Sequence, residues 1–298
     1  MDDGAVASEG SKPPQAQPVG RKRKMKFDIV TIFPDFFRGP LDYGIVRRAR
    51  ESQIIDINIH DLRAFTHDRH RTVDDRPFGG GEGMVLKPEP VWECIEPLGY
   101  ASREDRAGGR AKESIIVLSA GGRLFSQSIA HELAQLDRVM LLCGRYEGVD
   151  ERVTEYMADR EISVGDFVMS GGELGAALVL DCVTRLLPGA LGNEASAMTE
   201  SFSAFVAPTK FDERGRPEPN PTSPSGGLLD YPHYTRPAEF RGMPVPEVLL
   251  NGNHDEIRRW RRRRALEKTL RNRPDLLEKV ALSREDRALL EQIERETV

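Results

Sequence analysis

Apolar and polar positions alternate with two different periods along residues 25–192, and the pattern predicts strands interleaved with helices. Lys26–Phe33, Ile54–His60, Ile115–Leu118, Val139–Cys143 and Ile162–Val164 read as strands. Between them Pro34 opens a helix (PDFF), YGIVRRARES forms a second, others begin at Pro88 and Ser126, and Asp150–Tyr156 is a short one. This order predicts an α/β domain with a largely parallel sheet. SGGELGAALVLDCVTRLL reads as a strand-to-helix transition, with Glu173 near the helix start and Arg185 near its end. Gly144, Gly148, Gly165, Gly171 and Gly172 turn the chain sharply in this stretch and let a flat ligand approach the backbone. A cleft built mostly from main chain is therefore expected, although tight turns between packed elements use glycine in the same way.

The flanking segments read differently. Residues 1–24 lack periodicity and are rich in Gly, Pro, Ser and Ala, which predicts a disordered tail. They hold no signal-peptide apolar core, and Met25, directly before the first strand, is an alternative start. Beyond the helix ending near Leu187, Pro208, Pro217, Pro219, Pro221 and Pro224 mark residues 193–226 as a flexible linker with a proline-rich insert. Residues 227–298 form a small helical domain. Asn253 caps a helix with Asp255 and Glu256 in its first turn, Pro274 starts another, and Ser283 with Asp286 frames a third.

Composition alters this picture locally. No apolar run reaches the ~18–20 residues that span a bilayer, and Cys94, Cys143 and Cys182 show no metal or redox spacing, so a soluble, cytoplasmic chain with reduced thiols is expected. A net charge of −5 argues against nucleic-acid binding by the chain as a whole. Yet six arginines lie between Arg258 and Arg264, interrupted only by Trp260, and beside them LLDYPHYTRP supplies two tyrosines, a histidine and an arginine. They cannot all share one helix face, so some must pair with acids such as Glu267; the remainder suit an RNA backbone. Residues 65–84, FTHDRHRTVDDRPFGGGEGM, are too polar for a core. Read as a metal site they offer His67, Asp68, His70, Asp74 and Asp75, at spacings that fit no zinc template. Read as a recognition loop, Arg69, Arg71 and Arg76 meet phosphates while the aspartates accept from a guanine N–H edge. A solvated, salt-bridged loop is the plain alternative.

Six motifs carry a resemblance: THDRHRTVDDRPFGGGEGM, LLCGRYEGVDERV, SVGDFVMSGGELGA, PGALGNEAS, DYPHYTRP and LLNGNHDEIRRWRR. In order and approximate spacing they resemble the bacterial tRNA (guanine-37-N1)-methyltransferases of the SPOUT superfamily, from Met25 to the C-terminus. The resemblance implies a trefoil-knotted α/β domain and S-adenosylmethionine held bent in the knot. It implies a cofactor site of Leu118, Ser119, Gly144, Tyr146, Val164, Gly165, Asp166, Phe167, Val168, Met169, Gly171 and Gly172. It implies a homodimer whose active sites are each completed by the other subunit, with tRNA contacts from Asp74, Arg76, Glu147, Arg258 and Arg259. Guanine N1 must lose a proton before it attacks a methyl group, and the charge then shared with O6 needs a cation. Arg185 matches the family's arginine for that cation. The base position departs from the pattern: MTESF stands where EDSF is usual, so Glu200 replaces an aspartate, with Glu194 nearby as the next carboxylate. The long insert after Phe202 and the residues Ala120 and Gly175 also differ from common members. No protein ligand set for a metal is implied, and whether magnesium assists is left open. A metal-dependent phosphohydrolase built on residues 65–84 and a non-catalytic RNA-binding protein are the competing readings.

Overall fold

The computed structural model of the chain describes residues 24–192, 200–203 and 227–297. The expected tail, apart from Lys24, and most of the expected linker lie outside the described residues, as does Glu194.

Strand β1 (Met25–Thr31) is buried on both sides apart from Lys26. Its side chains divide by the two-residue period of a strand. Phe27 and Ile29 enter one core cluster, while Val30 and, just past the strand, Ile32 enter the other. Helix α1 (Gly44–Glu51) leads to β2 (Ile55–Asp61), which pairs parallel to β1. The expected recognition loop follows, carrying the short antiparallel pair β3 (Asp74–Asp75) and β4 (Val85–Leu86). Next come α2 (Pro88–Ile95), α3 (Arg103–Ala107), β5 (Glu113–Leu124), α4 (Gln127–Leu133), β6 (Arg138–Cys143), α5 (Glu151–Tyr156), β7 (Arg160–Ser163) and α6 (Glu173–Thr184).

Among the described residues the main sheet has the order β2–β1–β6–β5–β7, with every pair parallel. Helices cover both faces, as a parallel sheet requires. Val46, Ile129, Ala176 and Val179 pack from α1, α4 and α6 against one side, and Val91, Cys94 and Val153 from α2 and α5 against the other. β5 runs well past the expected Ile115–Leu118. After a register shift between Leu118 and Arg123 it pairs with β7 a second time, a break in periodicity that the apolar pattern alone does not reveal.

The C-terminal segment has its own core of Leu228, Leu266 and Ile293. It opens with extended chain and a small hairpin, Glu239–Phe240 against Met243–Pro244, so it is less purely helical than expected. Positive φ at Arg241 and Gly242 closes that hairpin, and nearby prolines deny it a longer ladder. Helices α7 (His254–Asn272), α8 (Asp275–Lys279) and α9 (Arg284–Thr297) complete it. Asn253 caps α7 by accepting from the backbone N–H groups of Asp255 and Glu256, and Ser283 and Asp286 exchange the capping hydrogen bonds read from sequence. Among the described residues no helix is long and apolar enough to cross a membrane.

Candidate active site

A break in β5 and the loops after the neighbouring strands β6 and β7 meet at the carboxyl end of the parallel pairing, where ligands of open parallel sheets bind. Leu118 and Ser119 lie at the register break within β5, Gly144 and Tyr146 in the loop after β6, and Val164 to Gly172 in the loop after β7. The loop after β7 folds back on the loop after β6: the Gly172 N–H donates to the Gly144 carbonyl at 2.9 Å. A Cβ on Gly172 would stand 2.8 Å from the Cys143 Cα and 3.0 Å from the Gly144 nitrogen, so only glycine permits this approach. Tyr146 holds a positive φ of 59°, an uncommon state for a tyrosine, and leaves half its surface exposed. Asp166, Phe167 and Val168 are exposed, whereas Leu118 and Gly172 are buried beneath them. The expected cofactor residues are thus gathered at one end of the sheet, mostly as main chain with apolar side chains around it.

The residue that ties the loops together was missed in the sequence. Arg145 Nη2 lies 2.8 Å from the buried carboxylate of Glu173, and Nη1 donates to the Ser170 carbonyl at 2.9 Å. Thr31 Oγ1 donates to Glu173 from the end of β1, and the Phe33 ring lies 4.5 Å from the Arg145 guanidinium. A Cβ on Gly171 would come 2.1 Å from Arg145 Nε, so the space beside Gly171 belongs to this arginine. Thr31, a polar residue within the apolar Ile29–Phe33 run, is a signal in the sequence that a buried polar partner awaited it.

The expected recognition loop docks on the loop after β6. Leu86 N–H donates to Gly148, Asp150 N–H to Leu86 and Glu147 N–H to Met84. Glu147 lies directly against Gly83, where a Cβ would meet its carboxylate at 2.4 Å. Asp74 sits in β3, Arg76 is exposed, and Phe78, not singled out in the sequence, is 99% exposed at the loop tip. The metal reading finds no support from geometry. His67 pairs with Glu93, Asp68 caps its own turn through Thr72 and His70, and no cluster of three metal-competent side chains occurs among the described residues.

Glu200 and Arg185 are brought together. Arg185, the C-cap of α6, donates from Nη1 and Nη2 to the two Glu200 oxygens at 2.5 Å each, and Gln127 Nε2 lies 3.3 Å from Oε1. The Glu200 carboxylate raises the Arg185 pKa, against a burial effect in the other direction. Residues 200–203 are in turn tied to the C-terminal segment: Phe202 N–H donates to Leu228 and Asp230 N–H to Ser201 Oγ. Arg258 forms an exposed ion pair with Asp255, and Arg259 is exposed beside it.

Residues 25–279 match the family described as tRNA (Guanine-1)-methyltransferase TrmD. The chain belongs to this family. Among relatives named tRNA (guanine-N(1)-)-methyltransferase, that of Koribacter versatilis (strain Ellin345) is 64% identical over 90% of this chain and 98% of its own length. Those of Geobacter metallireducens (strain ATCC 53774 / DSM 7210 / GS-15) and Dictyoglomus turgidum (strain DSM 6724 / Z-1310) are 49% and 47% identical, each over 91% of this chain and 98% of their own lengths. In this tRNA (guanine-1)-methyltransferase, α6 sets a spacing with a consequence. The loops that carry the expected cofactor residues meet its first residue and Arg185 follows its last, and twelve helical residues separate these ends by roughly 18 Å at 1.5 Å per residue. The cradle and the Arg185–Glu200 pair of one chain therefore stand at opposite ends of one helix.

Proposed function

We propose that the protein transfers the methyl group of S-adenosylmethionine to N1 of guanosine 37 in tRNA. The observation that carries this reading is the paired Arg185 guanidinium and Glu200 carboxylate. Guanine presents a donor, N1–H, beside an acceptor, O6. When the pair opens, a carboxylate oxygen accepts from N1–H and a guanidinium N–H donates to O6, so both groups of the base are met at once. Glu200 takes the N1 proton, and Arg185 steadies the negative charge that then spreads to O6.

When bound, the cofactor supplies an electrophilic methyl group. Main chain from the break in β5 and from the loops after β6 and β7 holds it, with Tyr146, Phe167 and Val168 as apolar walls. In this reading the loops form the family's trefoil knot, supported by the close backbone approach of Gly172 to Cys143 and Gly144. The reading assigns no step to magnesium.

The separation along α6 leads to a homodimer with shared sites. Leu174 and Leu178, one helical turn apart on α6, are 60% and 43% exposed, and Val168 nearby is 88% exposed. A two-fold pairing across this apolar face sets the start of one α6 near the end of the other. Arg185 and Glu200 of one chain then face the cofactor loops of its partner, while Asp74, Arg76, Glu147, Arg258 and Arg259 hold the anticodon stem-loop. Methyl uptake by a tRNA transcript carrying guanosine 37, and none by the same transcript with adenosine there, is the expected result. Metal-dependent phosphate release without methyl uptake would favour the hydrolase instead.

A further inference from the structure

A cavity of 540 Å³ opens in the C-terminal segment, between the extended Tyr231–Arg236 stretch and the first turns of α7. Its size suits one flat organic ligand. Tyr234, half exposed, and Trp260 both line it, with ring centroids 6.2 Å apart at 55° and the Arg264 guanidinium 5.7 Å from the Trp260 ring centroid. Arg261 and Tyr231 also line it, with the guanidinium 4.9 Å from the Tyr231 ring centroid. Arg236 is exposed at the rim with no ion-pair partner among the described residues, and Ile257 supplies an apolar wall. The cavity belongs neither to the cofactor loops nor to the Arg185–Glu200 pair.

We propose that this cavity is a stacking site for an unpaired nucleobase of the RNA substrate, a loop nucleotide flanking the methylated guanosine. Tyr234 and Trp260 supply the faces on which the base lies, and Arg236 and Arg261 take its phosphate. The proposal rests on the reading of RNA as substrate. Every base has a π face, so aromatic walls grip unstacked nucleotides with little regard to sequence. Two cations at an aromatic cavity match a nucleotide's charge as well as its shape, whereas a purely apolar partner would leave them unpaired. The site would hold the loop open while guanosine 37 enters the shared active site.

The chain has two tryptophans, so Trp92→Phe, at an exposed position on α2, leaves Trp260 as the sole reporter. Anticodon stem-loop RNA should quench Trp260 emission, and an abasic nucleotide beside guanosine 37 should abolish most of that quench. Tyr234→Ala should raise KM for RNA roughly five- to a hundredfold at unchanged kcat, the range of one lost base stack, with cofactor affinity by calorimetry unaltered. Unquenched Trp260, or an unaltered KM in Tyr234→Ala, overturns the proposal. A dimer that dissociates in Tyr234→Ala overturns it as well, by giving the cavity to a second copy of the chain. Failure of the underlying functional reading looks different: the Trp92→Phe parent would then methylate no guanosine-37 transcript at all.

Discussion

The Glu200 carboxylate sits one methylene further from its backbone than the aspartate usual in the family, and the structure shows where that length goes. It reaches Arg185 with both oxygens while Ser201 and Phe202 stay hydrogen-bonded to the Leu228–Asp230 stretch. Glu200→Gln keeps the shape and removes the basicity, so methyl transfer should fall by ~10²–10⁴-fold while cofactor affinity holds. The deficit should shrink as pH rises and guanine loses its N1 proton unaided; Glu200→Asp should keep substantial activity. A single-turnover pH series checks both, and a glutamine variant at near wild-type rate would move the base elsewhere. Chemical need and motif position singled this residue out in the sequence, and the structure sets it against Arg185. Arg145 and Glu173 were not legible as a pair. They are 28 positions apart, and their third member, Thr31, lies 142 residues from Glu173, so only the folded backbone brings them together.

Among elements, the strands and helices were legible because burial obeys simple periods. Pro34, Pro88, Ser126, Asp150 and Asn253 mark helix starts by local chemistry that needs no tertiary partner. The long β5 escaped notice because its second pairing follows a bulge. So did a polar hub in β1. Asp28, 1% exposed, receives hydrogen bonds from Arg138 Nε at 2.7 Å and Tyr100 Oη at 2.9 Å, with His60 Nε2 at 2.9 Å. Burial alone pushes its pKa up, but the bonds with His60, Arg138 and Tyr100 together outweigh burial and hold the carboxyl well below its ordinary value. A depressed native pKa means stabilisation that is complete above the unfolded value, about 3.9, and is lost as pH falls toward the native one. Asp28→Asn should therefore cost about 3–5 kcal/mol at neutral pH, with the gap to wild type narrowing below about pH 4. Denaturant unfolding across pH measures this; a gap constant with pH would mean the network contributes packing rather than charge.

For the whole molecule, what the sequence could not convey is distance. The loops proposed to hold cofactor and the residues proposed to handle the proton lie close in sequence, yet α6 sets them apart along its length. A helix of that length was readable, but its meaning for the site appears only when both of its ends are seen to be occupied. Two variants probe the consequence. Gly171→Val places a side chain where Arg145 lies, and displacing that arginine should release the loops that hold cofactor. Glu200→Gln disables the other half of the site. Each alone should be nearly inactive in forming 1-methylguanosine at position 37. The decisive measurement is that product's yield after the two variants are unfolded together and refolded as mixed dimers. Shared sites predict recovery to about a quarter of wild-type activity, the fraction of sites that random two-fold pairing leaves intact. No recovery, with mixed dimers demonstrably formed, would place each active site within a single chain and contradict the account.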